Sequence, residues 1–259
     1  MNSEAQIRKA QAFRKMHDRT KVLVLPNAWD AVTARLFARL GFAAVATTSG
    51  GVAWSLGYAD GEHAPLDEVV AASARIAHAI DLPVSVDLEA GYGTTPEAVA
   101  DAVRAIIEAG AVGINLEDGL HVSGALRGLD AAADRIRAAR EAAVAAGVPL
   151  LINARTDTYL LKYGADDSER FDETVRRARL SRGGCGLHLS HRPERWCRAP
   201  GAGEGARCAD QCRGAAGDPQ CSRARAPWHR TCEHGDPLYD PRFIGGGARG
   251  KGAPRKRRV

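Results

Sequence analysis

The feature that most constrains this chain is a unit repeated five times over its first 180 residues. Each unit is a short apolar run rich in Val and Ile, followed by a longer amphipathic stretch. KVLVLPNAWD predicts a strand and AVTARLFARLGF a helix ending near Gly41, where a left-handed cap is expected. FAAVATTSGG predicts a second strand running into a Gly-rich loop, followed by the helix PLDEVVAASARIAHAI. LPVSVDLEAGYG is a third strand, and the helix after it opens at Thr95 as N-cap with Pro96 in the first turn. VGINLEDG with LDAAADRIRAAREAAVAAG forms the fourth pair. VPLLINARTDTYL is the fifth strand, with a helix from about Ser168.

Strands that are apolar on both faces suit a parallel sheet covered by helices. Five consecutive units without a G-x-G-x-x-G turn favour a barrel over a doubly wound sheet. The expected fold is therefore α/β, a (β/α)8 TIM-type barrel of which residues 1–180 carry the first five units. In such a barrel the active site lies at the C-terminal ends of the strands. Polar residues gather there: Asn27 and Asp30, then Thr48, Ser49 and Gly50, then Asp87 and Glu89, then Glu117 and Asp118, then Asn153, Arg155 and Asp157.

Asp87 and Glu89 are two apart and share one face of a strand. With Glu117 from the neighbouring strand they put three carboxylates at one rim, a set that repels unless a cation sits among them. Oxygen ligands of this kind suit Mg2+. Asp30 and Asp118 read as helix N-caps. Arg155 suits a substrate carboxylate, or a pairing with a rim carboxylate. Ser49-Gly50-Gly51 is either an ordinary turn or a set of backbone N–H groups that hold an anion.

LPNAWDAVTARL, TTSGG, SLGYAD, VDLEAGYG, INLEDG and NARTD occur in this order over about residues 20–180. That succession resembles the isocitrate lyase/phosphoenolpyruvate mutase superfamily. The resemblance implies that Asp87 ligates Mg2+ directly (Mn2+ is the substitute ion), with Glu89, Glu117 and Asp60 acting on it through water. It also implies that Ser49 and Gly50 hold a substrate carboxylate together with Arg155. Asp60, Glu117 and Arg155 are the expected catalytic residues. The implied chemistry is cleavage or rearrangement of a C–C or P–C bond beside a pyruvyl unit, through an enolate.

The sequence departs from that pattern in one loop. Isocitrate and methylisocitrate lyases carry a Cys in a K-K-C-G-H loop after the fourth strand, whereas this chain reads EDGLHVSGALRGLD, without Cys or Lys. The mutase's Lys- and Asn-bearing gating loop is missing too. His121 in this loop is either an acid or base, or a solvent-facing side chain. What remains is a lyase, decarboxylase or hydrolase acting on a small 2-oxo or 2-hydroxy acid, with a phosphoenolpyruvate mutase-like P–C enzyme as the alternative.

After Leu180 the pattern collapses. Residues 1–180 hold 20 basic and 24 acidic residues, a net charge of −4; residues 181–259 hold 16 and 7, a net charge of +9. All six cysteines lie after Gly184. The spacing of Cys208, Cys212, Cys221, His229, Cys232 and His234 does not form the paired knuckles of structural zinc sites. The terminal RGKGAPRKRR is open to reading as a nucleic-acid arm. A shifted reading frame explains the segment better. Back-translated from Leu180 and read one nucleotide later, permitted codons give Tyr-Leu-Ala-Ala-Gly-Ala-Asp-Cys-Ile-Tyr-Pro-Ile, a helix end running into a strand. Windows from Cys208 and Gln220 return barrel-like sequence at the same offset. The expectation is one insertion or deletion near codons 175–180, leaving residues 181–259 as an out-of-frame, disordered tail. A barrel lacking its last strands would have unpaired edges, fold poorly and turn over slowly.

No apolar run approaches the roughly 20 residues needed to span a bilayer, and the N-terminus is too polar for a signal peptide. The expectation is a cytoplasmic enzyme with a small carboxylate substrate, no membrane partner and no nucleic-acid partner. Homo-oligomerisation is expected of the intact family fold. The competing reading is an inactive, truncated barrel whose basic tail binds metal or nucleic acid.

Overall fold

The computed structural model describes residues 4–17, 21–120, 123–181 and 187–190. The elements are α1 (Glu4–Met16), β1 (Asn27–Ala28), α2 (Ala31–Arg39), β2 (Val45–Thr47), α3 (Ser49–Leu56), α4 (Leu66–Ala79), β3 (Val84–Asp87), α5 (Pro96–Glu108) and β4 (Gly113–Glu117). A small hairpin follows, β5 (Gly119–Leu120) and β6 (Ala125–Leu126). Then come α6 (Leu129–Ala145), β7 (Leu151–Thr156), α7 (Asp167–Ser181) and β8 (Leu187–Ser190).

One sheet runs β1-β2-β3-β4-β7-β8, and every pairing in it is parallel. The order advances in one direction without reversing, which is the winding of a (β/α)8 barrel and not of a doubly wound sheet. Each crossover contains a helix, as parallel neighbours require. The five units expected from the periodicity are present, but the first strand is shorter than expected: the apolar run KVLVL is not strand, and β1 is only Asn27–Ala28. The sixth strand, β8, falls where the sequence reading expects no regular structure. It pairs with β7 in register from Asn153↔Leu187 to Thr156↔Ser190. The remaining tail features, the six cysteines and the basic terminus, lie outside the described residues.

Caps fix the helix starts. Asp30 accepts a hydrogen bond from the Thr33 N–H at 2.7 Å, and the Thr33 hydroxyl oxygen accepts from the Asp30 N–H at 3.2 Å, a reciprocal capping box. Thr95 caps α5 by accepting from the Ala98 N–H at 3.3 Å, with Pro96 at the first helical position. The core lies between the sheet and its helices. Ile76 of α4, Val99, Val103 and Ile106 of α5, and Ala139 and Ala143 of α6 are fully buried against Val84, Val86, Ile114 and Ile152.

Helix α1 is not evident in the sequence, because it offers few apolar side chains. It is held by Phe13, which is fully buried, and by Gln6, whose amide donates to the Ile107 carbonyl at 2.7 Å and the Ala111 carbonyl at 3.0 Å. Gly113, at the start of β4, gives it room. A Cβ there would lie 2.7 Å from the Phe13 ring and 2.9 Å from the Ser85 hydroxyl. Helix α1 therefore packs at the N-terminal end of the strands, opposite the rim that carries the polar residues.

Candidate active site

The C-terminal strand ends place the expected residues on one rim. Asp87 closes β3, and its backbone N–H donates to the Thr47 hydroxyl at 2.9 Å, which ties it to β2. Its Oδ2 accepts from the Ser49 N–H at 3.2 Å. Its Oδ1 is buried and has no hydrogen-bond partner.

Ser49 and Gly50 do not lie in a loop, as the Gly-rich sequence suggests. They form the first turn of α3, whose N-cap Thr48 makes no side-chain capping bond. An N-terminal turn leaves N–H groups unused within the helix, and Asp87 takes one of them. Gly50 also admits Asp60, since a Cβ on Gly50 would lie 3.3 Å from Asp60 Oδ2. Ser49, Gly50, Asp60 and Asp87 are thus gathered at one corner.

Glu89 and Glu117 are buried, at 4% and 5% exposure, and each already has donors. Glu89 Oε2 accepts from the Glu62 N–H at 2.8 Å and Oε1 from the Tyr92 hydroxyl at 2.9 Å. Glu62 Oε1 in turn accepts from the Tyr92 N–H at 2.6 Å. Glu62, Glu89 and Tyr92 all have positive φ, at 60°, 51° and 53°. Such a backbone persists in non-glycine residues only where surrounding bonds fix it. Burial and the adjacent Glu89 carboxylate push the Tyr92 phenol pKa well up, so it stays a donor.

Glu117 Oε2 meets Arg155 Nη1 at 2.7 Å, and Arg155 Nε donates to Asp157 Oδ1 at 2.7 Å. Burial opposes the Arg155 charge, but Glu117, then Asp157 and Asp87, outweigh it, and its pKa is raised. Arg155 therefore pairs with rim carboxylates, the simpler of the two readings open in the sequence.

Among the described residues, no three His, Cys, Asp or Glu side chains converge as a ready set of metal ligands. The structure joins Asp87 to Ser49, Asp60 to Gly50, and Glu117 to Arg155, while Glu89 faces Glu62 and Tyr92. The fit to a cation rests on Asp87, whose orphaned buried oxygen is a hard donor of the kind Mg2+ takes.

Asp118 is not the helix N-cap that its position suggested. It is buried and accepts from the Thr156 hydroxyl at 2.7 Å, the Asp157 N–H at 2.9 Å and Arg177 Nη1 at 3.0 Å. Arg135 on α6 is buried too and donates to the carbonyls of Gly93 and Ala90. Burial, then the Arg127 charge, lower its pKa to about 10. The sequence reading missed Glu62, Tyr92, Arg135 and Arg177. Tyr92 stands inside VDLEAGYG and Glu62 two residues after Asp60, so proximity to the motifs was a usable signal. Arg177, among Arg176 and Arg179, looks like a solvated helix face. His121 lies outside the described residues.

Comparison with known proteins gives these residues a context. The phosphoenolpyruvate phosphomutase family matches residues 13–182, more than half of the chain. A candidate phosphonomutase of solved structure from Burkholderia cenocepacia J2315 is 44% identical, with a TM-score of 0.68, over 71% of this chain and 76% of that one. An uncharacterised protein of Mycobacterium tuberculosis is 35% identical over 184 residues, 71% of this chain and 67% of its own length. The 2-methylisocitrate lyase of Escherichia coli K12 is 34% identical over 155 residues, 57% of this chain and 52% of the enzyme, so this chain spans about half of that lyase. The ordered rim motifs, the one-way parallel winding and these matches together make the chain a member of the phosphoenolpyruvate mutase/isocitrate lyase superfamily.

Proposed function

We propose that this rim is the site of a Mg2+-dependent lyase that cleaves a C–C bond in a small 2-oxo or 2-hydroxy carboxylic acid through an enolate, in the cytoplasm. The observation that carries the reading is the buried, unpartnered Asp87 Oδ1. A desolvated carboxylate oxygen without a donor is costly unless a cation meets it. Asp87 would hold the ion, Mg2+ or in substitution Mn2+, with Glu89, Glu117 and Asp60 as outer carboxylates. When bound, the ion supplies positive charge that stabilises the enolate oxygen as it forms.

The chain's own residues orient the substrate. The Ser49 N–H is given to Asp87, so the Gly50 N–H and the Ser49 hydroxyl are the donors left to a substrate carboxylate at this corner. Arg155 uses Nη1 and Nε on Glu117 and Asp157, which leaves Nη2 for the same carboxylate. The loop after β4 carries no Cys and no Lys. A thiol acid is absent, which favours a decarboxylase- or hydrolase-like outcome over the isocitrate-type cleavage. The likeness to a candidate phosphonomutase keeps P–C cleavage as the second reading.

The test is release of pyruvate or oxalate from a panel of oxaloacetate-like acids and phosphonopyruvate, with and without Mg2+, beside Asp87→Ala. The expected result is metal-dependent release that falls roughly 10²- to 10³-fold in the variant. Equal release by both proteins, or release indifferent to Mg2+, would sink the proposal.

We infer further that residues 181–259 are out of frame. Two observations support a break after Arg177: the family match runs to residue 182, and Arg177 makes buried bonds to Asp118. With the permitted codons chosen above, Leu-His-Leu-Ser of β8 would read Cys-Ile-Tyr-Pro in the shifted frame, so a strand at this slot is compatible with either reading. Resequencing codons 165–240 decides it. Codons incompatible with the shifted windows would end the idea.

A further inference from the structure

Arg177 stands on α7, three hydrogen bonds away from the rim guanidinium of Arg155, and is 6% exposed. Its Nη1 donates to Asp118 Oδ2 at 3.0 Å and its Nε to Glu173 Oε1 at 2.9 Å. Asp118 Oδ1 accepts the Asp157 N–H at 2.9 Å, and Oδ2 also accepts the Thr156 hydroxyl at 2.7 Å. Asp157 Oδ1 then takes Arg155 Nε at 2.7 Å, and Arg155 Nη1 reaches Glu117 at 2.7 Å. One connected chain of charge-assisted bonds therefore runs from a helix to the guanidinium on the rim.

We infer that Arg177 is a positioning residue that fixes the orientation of Arg155 through Asp118 and Asp157. The physical reason is the pairing of charges. Asp118 and Asp157 are two buried carboxylates joined by a backbone bond, and each has a guanidinium against it, Arg177 on Asp118 and Arg155 on Asp157. Arg177 supplies the inner cation, and Arg155 is the outer one. The Asp157 carboxylate is confined as well, because a Cβ on Gly119 would lie 2.7 Å from its Oδ2. Without Arg177, Asp118 loses its counter-charge and is held only by the Thr156 hydroxyl and the Asp157 N–H, so the Asp157 carboxylate that takes Arg155 Nε is placed less firmly. The consequence for substrate affinity rests on the proposed role of Arg155; the positioning itself does not.

The test uses the full chain and phenylglyoxal, an arginine-selective reagent, with peptide mass spectrometry. The rate at Arg155 is divided by that at the exposed Arg75. Arg177→Met should raise the ratio several-fold, and Arg177→Lys should bring it part of the way back. If Arg177→Met does not fold, the isosteric Asp118→Asn carries the test and should move the ratio in the same direction. An unchanged ratio in a folded variant overturns the inference. Oxalate titration in Mg2+ is the second readout, with a roughly tenfold loss of affinity expected in Arg177→Met. Mn2+ affinity measured by paramagnetic resonance should stay unchanged, whereas a purely structural role would shift both. Failure of the unaltered chain to bind oxalate breaks the proposed function alone, and the modification ratio still decides the role of Arg177.

Discussion

The middle of the sheet and its β1 edge are built from the same kind of unit, yet they end in opposite states. Around β3, β4 and β7 the helices α5 and α6 cover the strands, and Val99, Val103, Ile106, Ile114 and Ile152 are fully buried. At the other end, Val32 and Leu36 of α2 and its C-cap Leu40 are 74%, 52% and 65% exposed, four residues apart and hence on one face. Val22 and Val24, just before β1, are exposed at 87% and 60%. Among the described residues β1 pairs only with β2. A closed barrel has no such edge, because its first strand also pairs with its last. The difference shows that amphipathic patterning alone does not bury a helix face. A neighbour on each side does.

The comparison breaks most sharply at Ile106. Truncation to Ala in the covered centre should cost about 2–5 kcal/mol by chemical denaturation. A cost below about 1 kcal/mol would mean that the centre is packed no better than the edge. Gly91 comes next. It adopts φ of 91°, and a Cβ there would lie 2.9 Å from Leu116 and 3.1 Å from Val99. Gly91→Ala should destabilise by about 1–3 kcal/mol and disturb the Glu89–Tyr92 turn, which should also weaken the proposed Mg2+ binding. Thr95→Ala removes the cap of a covered helix and should cost about 1 kcal/mol.

The smallest effect is expected at the edge. Leu36→Asp should change stability by no more than about 0.5 kcal/mol and reduce self-association in light scattering. The frame-restored chain sharpens this contrast. If its last units close the barrel against α2, the same substitution should become clearly destabilising there. An equal response in both chains would count against closure at this edge.

Much of the fold could be read directly. The apolar periodicity located strands β2, β3, β4 and β7 and the helices after them but set the first strand too early, Asp30 and Thr95 are caps where their positions suggest, and Gly41 has the left-handed φ of 86° that ends α2. These features depend on a few consecutive residues, and local backbone preference decides them. Helix α1 escaped because the residues it buries are Gln6, Ala10 and Phe13, one polar and one small, too little for an apolar stripe. Helix α3 escaped because Ser49-Gly50-Gly51 reads as a turn until Asp87 arrives from another strand to accept its first N–H.

The rim divides along the same line. By itself the sequence determined which carboxylates stand at the strand ends, since a strand's alternation and a barrel's polarity follow from local pattern. Only the tertiary structure decided what each carboxylate faces: Glu117 on Arg155, Glu89 between Glu62 and Tyr92, Asp118 on Arg177, and Asp87 with one oxygen left open. Those partners lie up to 59 residues apart. A charge is satisfied by whatever reaches it through space, and no window of sequence records that distance.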